Sequence, residues 1–293
     1  MEEIIRNWKA ITSPDFKSIA EDIGMQHQAV QFIAYVANHY IPKKEDDSHT
    51  TMRWEPLHNC YTGQSFRTNT GKFVVAVSVN PLEISIRNGE MKPTHRFSME
   101  QKTKEEVMEW LTDSLFRIGL DTKAFDDQLH FSIPENKISA GGSFSYSMES
   151  NAQELIRYRD NSHLLLEHFA AKFQSAEPVY VWPHHFDEGC YVPLEKVNNE
   201  VTRSLNFGMA IPDTMYESAY FYVTSRSNDG IDYDDLPDIE PPGEWHTGDW
   251  NGQALPLSSL LPLDRFEQAE TVSNFMQQAI QNARRLAGWS YAG

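Results

Sequence analysis

The sequence contains very little cysteine. Cys60 and Cys190 are the two cysteines among 293 residues, and neither belongs to a Cys-x-x-Cys pair. Two separated thiols are too few for a disulfide framework or a structural zinc cluster, because both use several closely spaced cysteines. Each thiol precedes a tyrosine in a strand-like run that has no basic neighbour, so we expect structural cysteines rather than redox partners.

Basic residues are also scarce. The chain carries 25 Lys and Arg against 42 Asp and Glu, which gives a formal net charge of −17. Nucleic acids and anionic membrane surfaces attract proteins through Lys and Arg, so this balance argues against both partners. No run approaches the roughly 20 apolar residues of a membrane-spanning helix, and the start MEEIIRNWKA lacks the basic and apolar regions of a signal peptide. We therefore expect a cytoplasmic protein that binds neither nucleic acid nor membrane.

The glycine-rich loops that bind nucleotides are absent from the sequence. No GxGxxG or GxxxxGK[ST] run is available to place backbone N–H groups around a phosphate. The stretch Gly141-Gly142-Ser143 lacks the second glycine of a nucleophile elbow. We therefore expect no cofactor, and no motif identifies a catalytic residue.

Hydrophobic spacing predicts both helices and strands. Apolar side chains recur every three or four residues in four segments, and short runs rich in β-branched and aromatic residues lie between them, including one at 129–133. The helical segments are 14–41, 103–119, 150–173 and 264–287. Thr103, Ser150 and Asp264 each stand three residues before Glu or Gln, which is the capping-box signature of a helix start. The predicted fold class is α+β, with an antiparallel sheet covered by long helices.

The order helix, strands, helix occurs twice along the chain. It divides the chain into a first half, 1–149, and a second half, 150–293, packed as one compact unit. The runs RWEPLHNCY and VWPHHFDEGCY each hold a Trp, a nearby Pro, one or two His and a Cys-Tyr pair, although the distance from Trp to Cys differs. An internal duplication with pseudo-twofold symmetry would place Trp54 and Trp182 at related positions. The differing distances leave the duplication open.

The segment 182–188, WPHHFDE, is the richest in reactive side chains. On an extended backbone His184 would lie with the buried aromatic rings, and His185 and Asp187 would share the open face. Imidazole and carboxylate are common ligands of divalent metals, so these two residues could hold a cation with a distant ligand, either His58 or His246. The favoured alternative is that one histidine bonds a buried carbonyl, the other is exposed, and the carboxylates lie in a turn.

The segment from Asp229 to Asp249 is strongly acidic. It holds eight carboxylates and no Lys or Arg, which predicts a solvated loop longer than most loops in compact domains. The spacing of its carboxylates does not match a calcium-binding EF-hand loop. Trp245 and Trp250 lie near its end among Pro and Gly, where exposed aromatic residues can form a ligand pocket. Packing of both rings against a sheet is the alternative.

The order of helix, paired strands, Trp-Pro segment and C-terminal helix resembles an uncharacterised bacterial family, domain of unknown function 5996. The resemblance covers nearly the whole chain and rests on VYVWPHHFDEG, on HNCYTGQSF and on a closing helix that ends in LAGW. Where the family has Trp-Gly-Ser-Phe-Asp, this chain has Pro183-His184-His185-Phe186-Asp187, so its paired histidines depart from the family pattern. The resemblance implies no activity.

Two functions are compatible with these patterns. The favoured one is a non-catalytic module that binds an unidentified small molecule or protein. The alternative is a metal-dependent, hydrolase-like enzyme in which His185 and Asp187 hold a cation that activates water. The candidate ligand-binding residues are Trp182, His185, Asp187, Trp245, Trp250 and His58.

Overall fold

The computed structural model describes residues 2–13, 15–248 and 250–289. Helices and two antiparallel sheets make up this part of the chain, which confirms the α+β prediction. The helices are α1 (Glu2–Asn7), α2 (Phe16–Tyr40), α3 (Lys104–Arg117), α4 (Glu149–Ala170) and α5 (Arg265–Leu286), with a 3₁₀ turn at Leu257–Leu260. The first strands are β1 (Arg53–Glu55), β2 (Cys60–Thr62), β3 (Phe66–Thr68), β4 (Gly71–Ser78), β5 (Glu83–Asn88) and β6 (Pro93–Ser98). The later strands are β7 (Tyr180–Val181), β8 (Glu188–Val197), β9 (Glu200–Ala210), β10 (Tyr220–Ser227), β11 (Glu244–His246) and β12 (Gly252–Pro256).

The chain forms two compact units that are discontinuous in sequence. The first-sheet unit comprises residues 17–156 and 180–186, and the second-sheet unit comprises the described residues of 1–16, 157–179 and 187–293. The sequence predicted two consecutive halves that meet after residue 149, whereas the division falls inside helix α4. Each unit also includes a segment from the other half of the chain.

Specific contacts hold each of these displaced segments in its unit. Residues 180–186 belong to the first-sheet unit, in which Val181 forms a backbone bridge with Met52. The N-terminal residues belong to the second-sheet unit, in which the Trp8 indole donates to Gln268 of α5 at 3.2 Å. These pairings join residues far apart in sequence, so hydrophobic periodicity did not predict them.

The first-sheet unit is built on an antiparallel meander. Its strands run in the order β1-β2-β4-β5-β6, and β3 pairs with β4 beside this path. Alternation along β4 buries Val75 and Val77 on one face with Tyr61 of β2. Helix α2 covers this face, since the Tyr61 hydroxyl donates to Gln26 of α2. The helix runs without a break through Gly24.

A buried carboxylate joins α2 to the start of α4. Asp22 is fully buried, and its Oδ1 accepts from the backbone N–H and the hydroxyl of Ser147 at 2.7 and 2.9 Å. Its Oδ2 accepts from Asn151 Nδ2 at 2.8 Å. The charge therefore lies beside the first turn of α4, where free N–H groups favour an anion.

Two of the three predicted helix starts are confirmed. Thr103 and Asp264 form complete capping boxes at the N-termini of α3 and α5. Helix α4 begins at Glu149, so the cap predicted at Ser150 is wrong. The strand predicted at 129–133 is also wrong, because this stretch is irregular. No helix in the described ranges has both the length and the apolar content to cross a membrane.

The second-sheet unit is built on strands in the order β11-β12-β10-β9-β8. Helix α5 covers one face, since Gln253 of β12 donates to the Ala279 carbonyl of α5 at 2.9 Å. The neighbours of Gln253, Gly252 and Ala254, project to the opposite face because side chains alternate along a strand. Tyr222 pairs with Ala254 and shares that opposite face.

The structure does not show the proposed duplication. The first sheet is a meander, whereas in the second sheet β12 lies between β10 and β11, so the strand orders differ. Trp54 in β1 and Trp182 after β7 both belong to the first-sheet unit rather than to corresponding places in two units. Similar composition in the two Trp-containing runs therefore does not reflect equivalent positions.

Both cysteines are free and buried, as expected for structural thiols. Burial raises the pKa of Cys60 to about 11 and the pKa of Cys190 to about 12. The two residues belong to different units. Both thiols therefore stay protonated at neutral pH, which leaves them poor nucleophiles.

Candidate ligand-binding site

Three of the predicted site residues lie in the first-sheet unit. His58 is exposed in the turn between β1 and β2, and His185 is exposed after β7. Trp182 is partly exposed, with its ring edge-on to Tyr180 and His184 at centroid distances of 6.4 and 5.7 Å. In the described chain, none of the three predicted residues makes a hydrogen bond or ring contact with another.

The segment 182–188 forms a turn, so the predicted extended backbone is wrong. The Phe186 N–H donates to the Trp182 carbonyl at 2.7 Å, and Phe186 has a left-handed φ of 54°. This conformation costs about 1–2 kcal/mol for a non-glycine residue. It buries Phe186 to 1% exposure and stacks its ring on His27 at 5.2 Å. Burial of a phenylalanine side chain contributes about 1.5–3 kcal/mol, which offsets the strain.

His27 is a buried histidine that bonds a backbone carbonyl. It is 3% exposed, and its Nε2 lies 2.7 Å from the Pro183 carbonyl oxygen. A carbonyl is purely an acceptor, so Nε2 carries the proton. The same oxygen accepts from Gln31 Nε2 at 2.9 Å. Two side chains of helix α2 therefore fix this turn through the Pro183 carbonyl.

Asp187 lies in the second-sheet unit, where it bonds a tyrosine that lies flat on the sheet. The Tyr222 hydroxyl donates to Asp187 Oδ2 at 2.7 Å. Gly189, Gly208 and Tyr222 form one row across β8, β9 and β10. A Cβ on Gly208 would lie 2.7 Å from the tyrosine oxygen, and one on Gly189 would lie 2.9 Å from it. Two glycines in register therefore provide the space that lets the ring reach the carboxylate.

A second carboxylate organises the loop before β10. Asp213 Oδ1 accepts from the backbone N–H groups of Met215 and Tyr216 at 2.8 and 3.1 Å. Its Oδ2 accepts from the Tyr220 hydroxyl at 2.7 Å. These bonds bring the Tyr216 ring to 4.5 Å from the Tyr220 ring. Asp213 thus positions two tyrosines against each other.

The tyrosines of this face stay protonated at neutral pH. Burial, followed by the neighbouring Asp213, raises the pKa of Tyr220, and burial with Asp187 raises the pKa of Tyr222. Burial and the nearby Glu244 carboxylate raise the pKa of Tyr216. In each case the negative charge opposes a phenolate. The phenols therefore act as hydrogen-bond donors rather than as bases.

Trp250 and His246 extend this aromatic surface. The Trp250 ring lies over Gly252, where a Cβ would come within 2.0 Å of it. It is nearly parallel to the His246 ring at 5.0 Å and to the Tyr220 ring at 6.5 Å. We call Tyr216, Tyr220, His246 and Trp250 the aromatic platform. Tyr220 is buried, whereas the other three residues stay partly exposed.

Trp245 does not belong to the aromatic platform. It pairs with Gln253, whose side chain points to α5. Its indole N–H donates to the Pro237 carbonyl at 2.8 Å. Of the two tryptophans predicted in this segment, Trp250 therefore lies on the face opposite α5. Trp245 bonds the preceding chain at Pro237 to the edge of the sheet.

The acidic segment is anchored rather than loosely solvated. Gln278 of α5 accepts from the Glu240 N–H, and Asn282 of α5 donates to the Asp238 carbonyl, each at 2.9 Å. Arg203 of β9 pairs with Asp229 at 2.5 Å. The segment also contributes strand β11, which the sequence did not predict. Its last residue, Asp249, lies outside the described residues.

Sequence patterns did not predict a buried ionisable pair in the second-sheet unit. Glu188 is 1% exposed, and its Oε1 lies 3.1 Å from His163 Nδ1 of α4. Glu188 was predicted in a turn, but it is the first residue of β8. Alternation with Cys190 and Val192, which are both buried, was the signal for this inward position.

No three His, Cys, Asp or Glu side chains in the described ranges form a group that could hold a metal ion. No family model, curated protein or solved structure matches this chain. The resemblance to domain of unknown function 5996 stays a prediction.

Proposed function

We propose that the protein is a non-catalytic binding module whose aromatic platform takes a small organic cation, such as a quaternary or alkylated ammonium group. The observation that carries this proposal is the combination, on one sheet face, of partly exposed aromatic rings with the carboxylates of Asp187, Asp213 and Glu244. A cytoplasmic location and the absence of a nucleic-acid partner remain part of the proposal.

The chemistry of an exposed aromatic face favours a cation. The face of an aromatic ring is electron-rich and attracts an ammonium group within about 6 Å of its centroid, most strongly for tryptophan. The Trp250 ring lies beside Gly252 and stays partly exposed, so it can contact a ligand. Alkylated ammonium groups are weakly hydrated, and apolar contact with the ring adds to the electrostatic attraction.

The charge of the chain also supports a cationic ligand. Residues 151–293 hold 9 basic and 21 acidic side chains, a formal net charge of −12. Such an excess raises the local concentration of cations and lowers that of anions. Asp213 and Glu244 bring part of this charge next to the platform itself.

The protonation of the tyrosines and the arrangement of His185 and Asp187 favour the binding module over the metal-dependent hydrolase. The tyrosines are protonated donors, and Asp187 Oδ2 accepts from one of them. His185 and Asp187 do not share one face of an extended strand, because the segment turns at Phe186. The pair that the hydrolase would use to hold its cation is therefore not arranged as that function requires.

We expect Trp250→Leu to weaken the binding of choline, used as a simple organic cation, by about tenfold or more. A desolvated cation–π contact contributes about 2 kcal/mol, and tenfold in affinity corresponds to about 1.4 kcal/mol. Isothermal titration calorimetry of the full chain measures the dissociation constant directly.

Trp245→Leu is the matched control for this experiment. It removes the other tryptophan of the same segment, which bonds Pro237 and lies off the platform. We expect Trp245→Leu to keep the wild-type affinity for choline. Equal affinity for the wild type and Trp250→Leu, or equal loss in both variants, would show that the platform is not the binding surface.

A further inference from the structure

Arg87 is a buried charge in the first-sheet unit. It lies in β5 and is 7% exposed. Its side chain shares a face of the sheet with Ser85 two residues before it and with Ser78 of β4. This face is the one opposite Val75 and Val77, which lie under helix α2. A charged side chain with this degree of burial normally has an ion partner.

Among the described residues, the guanidinium of Arg87 bonds only neutral hydroxyl groups. Its Nε donates to Ser85 Oγ at 3.2 Å, and its Nη2 reaches Ser78 Oγ at 3.5 Å. Within the described chain, Nη1 donates no hydrogen bond and no carboxylate lies within 4.0 Å of the guanidinium. The two serines therefore occupy the edge of the guanidinium that is formed by Nε and Nη2. The edge formed by Nη1 and Nη2 is left open.

The carboxylates of the same face have other partners. Glu83 lies 3.9 Å from Arg96, and Glu55 accepts from the Thr62 hydroxyl at 3.3 Å. Neither compensates the charge of Arg87 directly. Arginine cannot lose its proton in a protein, so burial cannot be relieved by neutralisation. An uncompensated buried charge is costly, and an anion is its natural complement.

We propose that Arg87, Ser85 and Ser78 form a binding site for a small oxoanion, a phosphate or carboxylate group. The open Nη1–Nη2 edge matches the spacing of two oxygens on such a group. Ser85 is fully buried and Ser78 is 5% exposed, so the two serine oxygens hold the guanidinium in place. The site thus offers the positive charge and the two donors of the Nη1–Nη2 edge, and it is independent of the aromatic platform.

The test compares melting temperatures in phosphate, acetate and chloride at matched ionic strength. We expect phosphate, acetate or both to raise the melting temperature of the wild type by about 3 °C or more above chloride, at concentrations well above the dissociation constant. The salt that gives the larger rise in melting temperature, phosphate or acetate, shows whether the site prefers a tetrahedral or a planar oxoanion. Calorimetric titration with the same ions gives the affinity.

Arg87→Met removes the charge and keeps an apolar stem of similar length. We expect it to abolish the rise in melting temperature and, in chloride, to be at least as stable as the wild type. Arg96→Met is the matched control, because Arg96 is exposed on the same face and opposite Ser85. It should keep the full rise. Ser85→Ala is a second variant that keeps the charge and removes the acceptor that holds Nε, and we expect it to bind the anion several-fold more weakly.

Three results would overturn the proposal. The first is a wild type with the same melting temperature in all three salts. The second is an Arg87→Met or Ser85→Ala variant that keeps the full response to phosphate and acetate. The third is a strong loss of stability of Arg87→Met in chloride, since this would mean that the protein itself compensates the charge.

Discussion

Asp22→Ala is expected to lower the free energy of unfolding by about 3 kcal/mol or more. The carboxylate is fully buried and accepts three hydrogen bonds, two from Ser147 and one from Asn151. Hydrogen bonds to a charged group contribute about 1.5–3 kcal/mol each, and their loss leaves buried donors without an acceptor. Urea unfolding followed by circular dichroism measures the change.

Glu21→Ala provides the control for this variant. Glu21 precedes Asp22 on the same helix and is exposed, so its removal should change stability by less than about 0.5 kcal/mol. Asp22→Asn should fall between the two, because its amide presents a donor to Asn151 where the carboxylate presented an acceptor. Equal stability of Asp22→Ala and Glu21→Ala would contradict the role assigned to this carboxylate.

Gly208→Ala is expected to lower the free energy of unfolding by about 2–3 kcal/mol. The added Cβ would lie 2.4 Å from the Glu188 carbonyl oxygen, 2.7 Å from the Tyr222 hydroxyl and 2.8 Å from its Cζ. A backbone oxygen of a neighbouring strand cannot move aside cheaply, so the strands must separate locally. The tyrosine ring must also leave its place over the glycines, which breaks its bond to Asp187. Thermal and urea unfolding both report this loss.

Gly24→Ala is the matched glycine substitution with the opposite expectation. Gly24 lies inside α2, and the nearest heavy atom to its new Cβ would be Asn136 Nδ2 at 3.4 Å. Alanine is favoured over glycine in a helix by about 1 kcal/mol, so this variant should be as stable as the wild type or more stable. Loss of stability in Gly24→Ala and not in Gly208→Ala would reverse our interpretation of the sheet.

Local signals in the sequence predicted the parts of the fold that local forces decide. The starts of α3 and α5 are specified by side chains that bond the backbone within three residues, at Thr103 and Asp264. The α+β class followed from spacing and composition alone. The β-branched content of the run that forms β4 was also typical of a strand, and this strand buries Val75 and Val77.

The turn at Phe186 could not be predicted from its neighbours, because residues far away in sequence hold it. His27 and Gln31 of α2 bond the Pro183 carbonyl, and the His27 ring stacks on Phe186. Alternation in WPHHF pointed to a strand, and these contacts overrode it. The site expected at His185 depended on that strand.

Parts of the aromatic platform and of the neighbouring Asp187–Tyr222 pair could be predicted from the sequence. Trp250 was identified from its Pro- and Gly-rich surroundings, and Asp187 was identified from its segment. Tyr220 and Tyr222 alternate in the run YFYVT, which was a signal for one shared face. The role of Gly189 and Gly208 in making room for Tyr222 can be recognised only when the pairing of the three strands is known. This register depends on contacts between residues far apart in sequence, so local patterns did not predict it.

We propose that the aromatic platform of the second-sheet unit recognises positive charge on an organic ligand. The most direct measurement compares choline with 3,3-dimethylbutan-1-ol, its neutral isostere, by calorimetric titration of the wild-type chain. The two molecules have the same shape, so the difference in affinity isolates the charge. We expect choline to bind about tenfold tighter or more, with a gap that narrows as salt is added. Equal affinity for the two molecules, or no binding of choline, would contradict the claim.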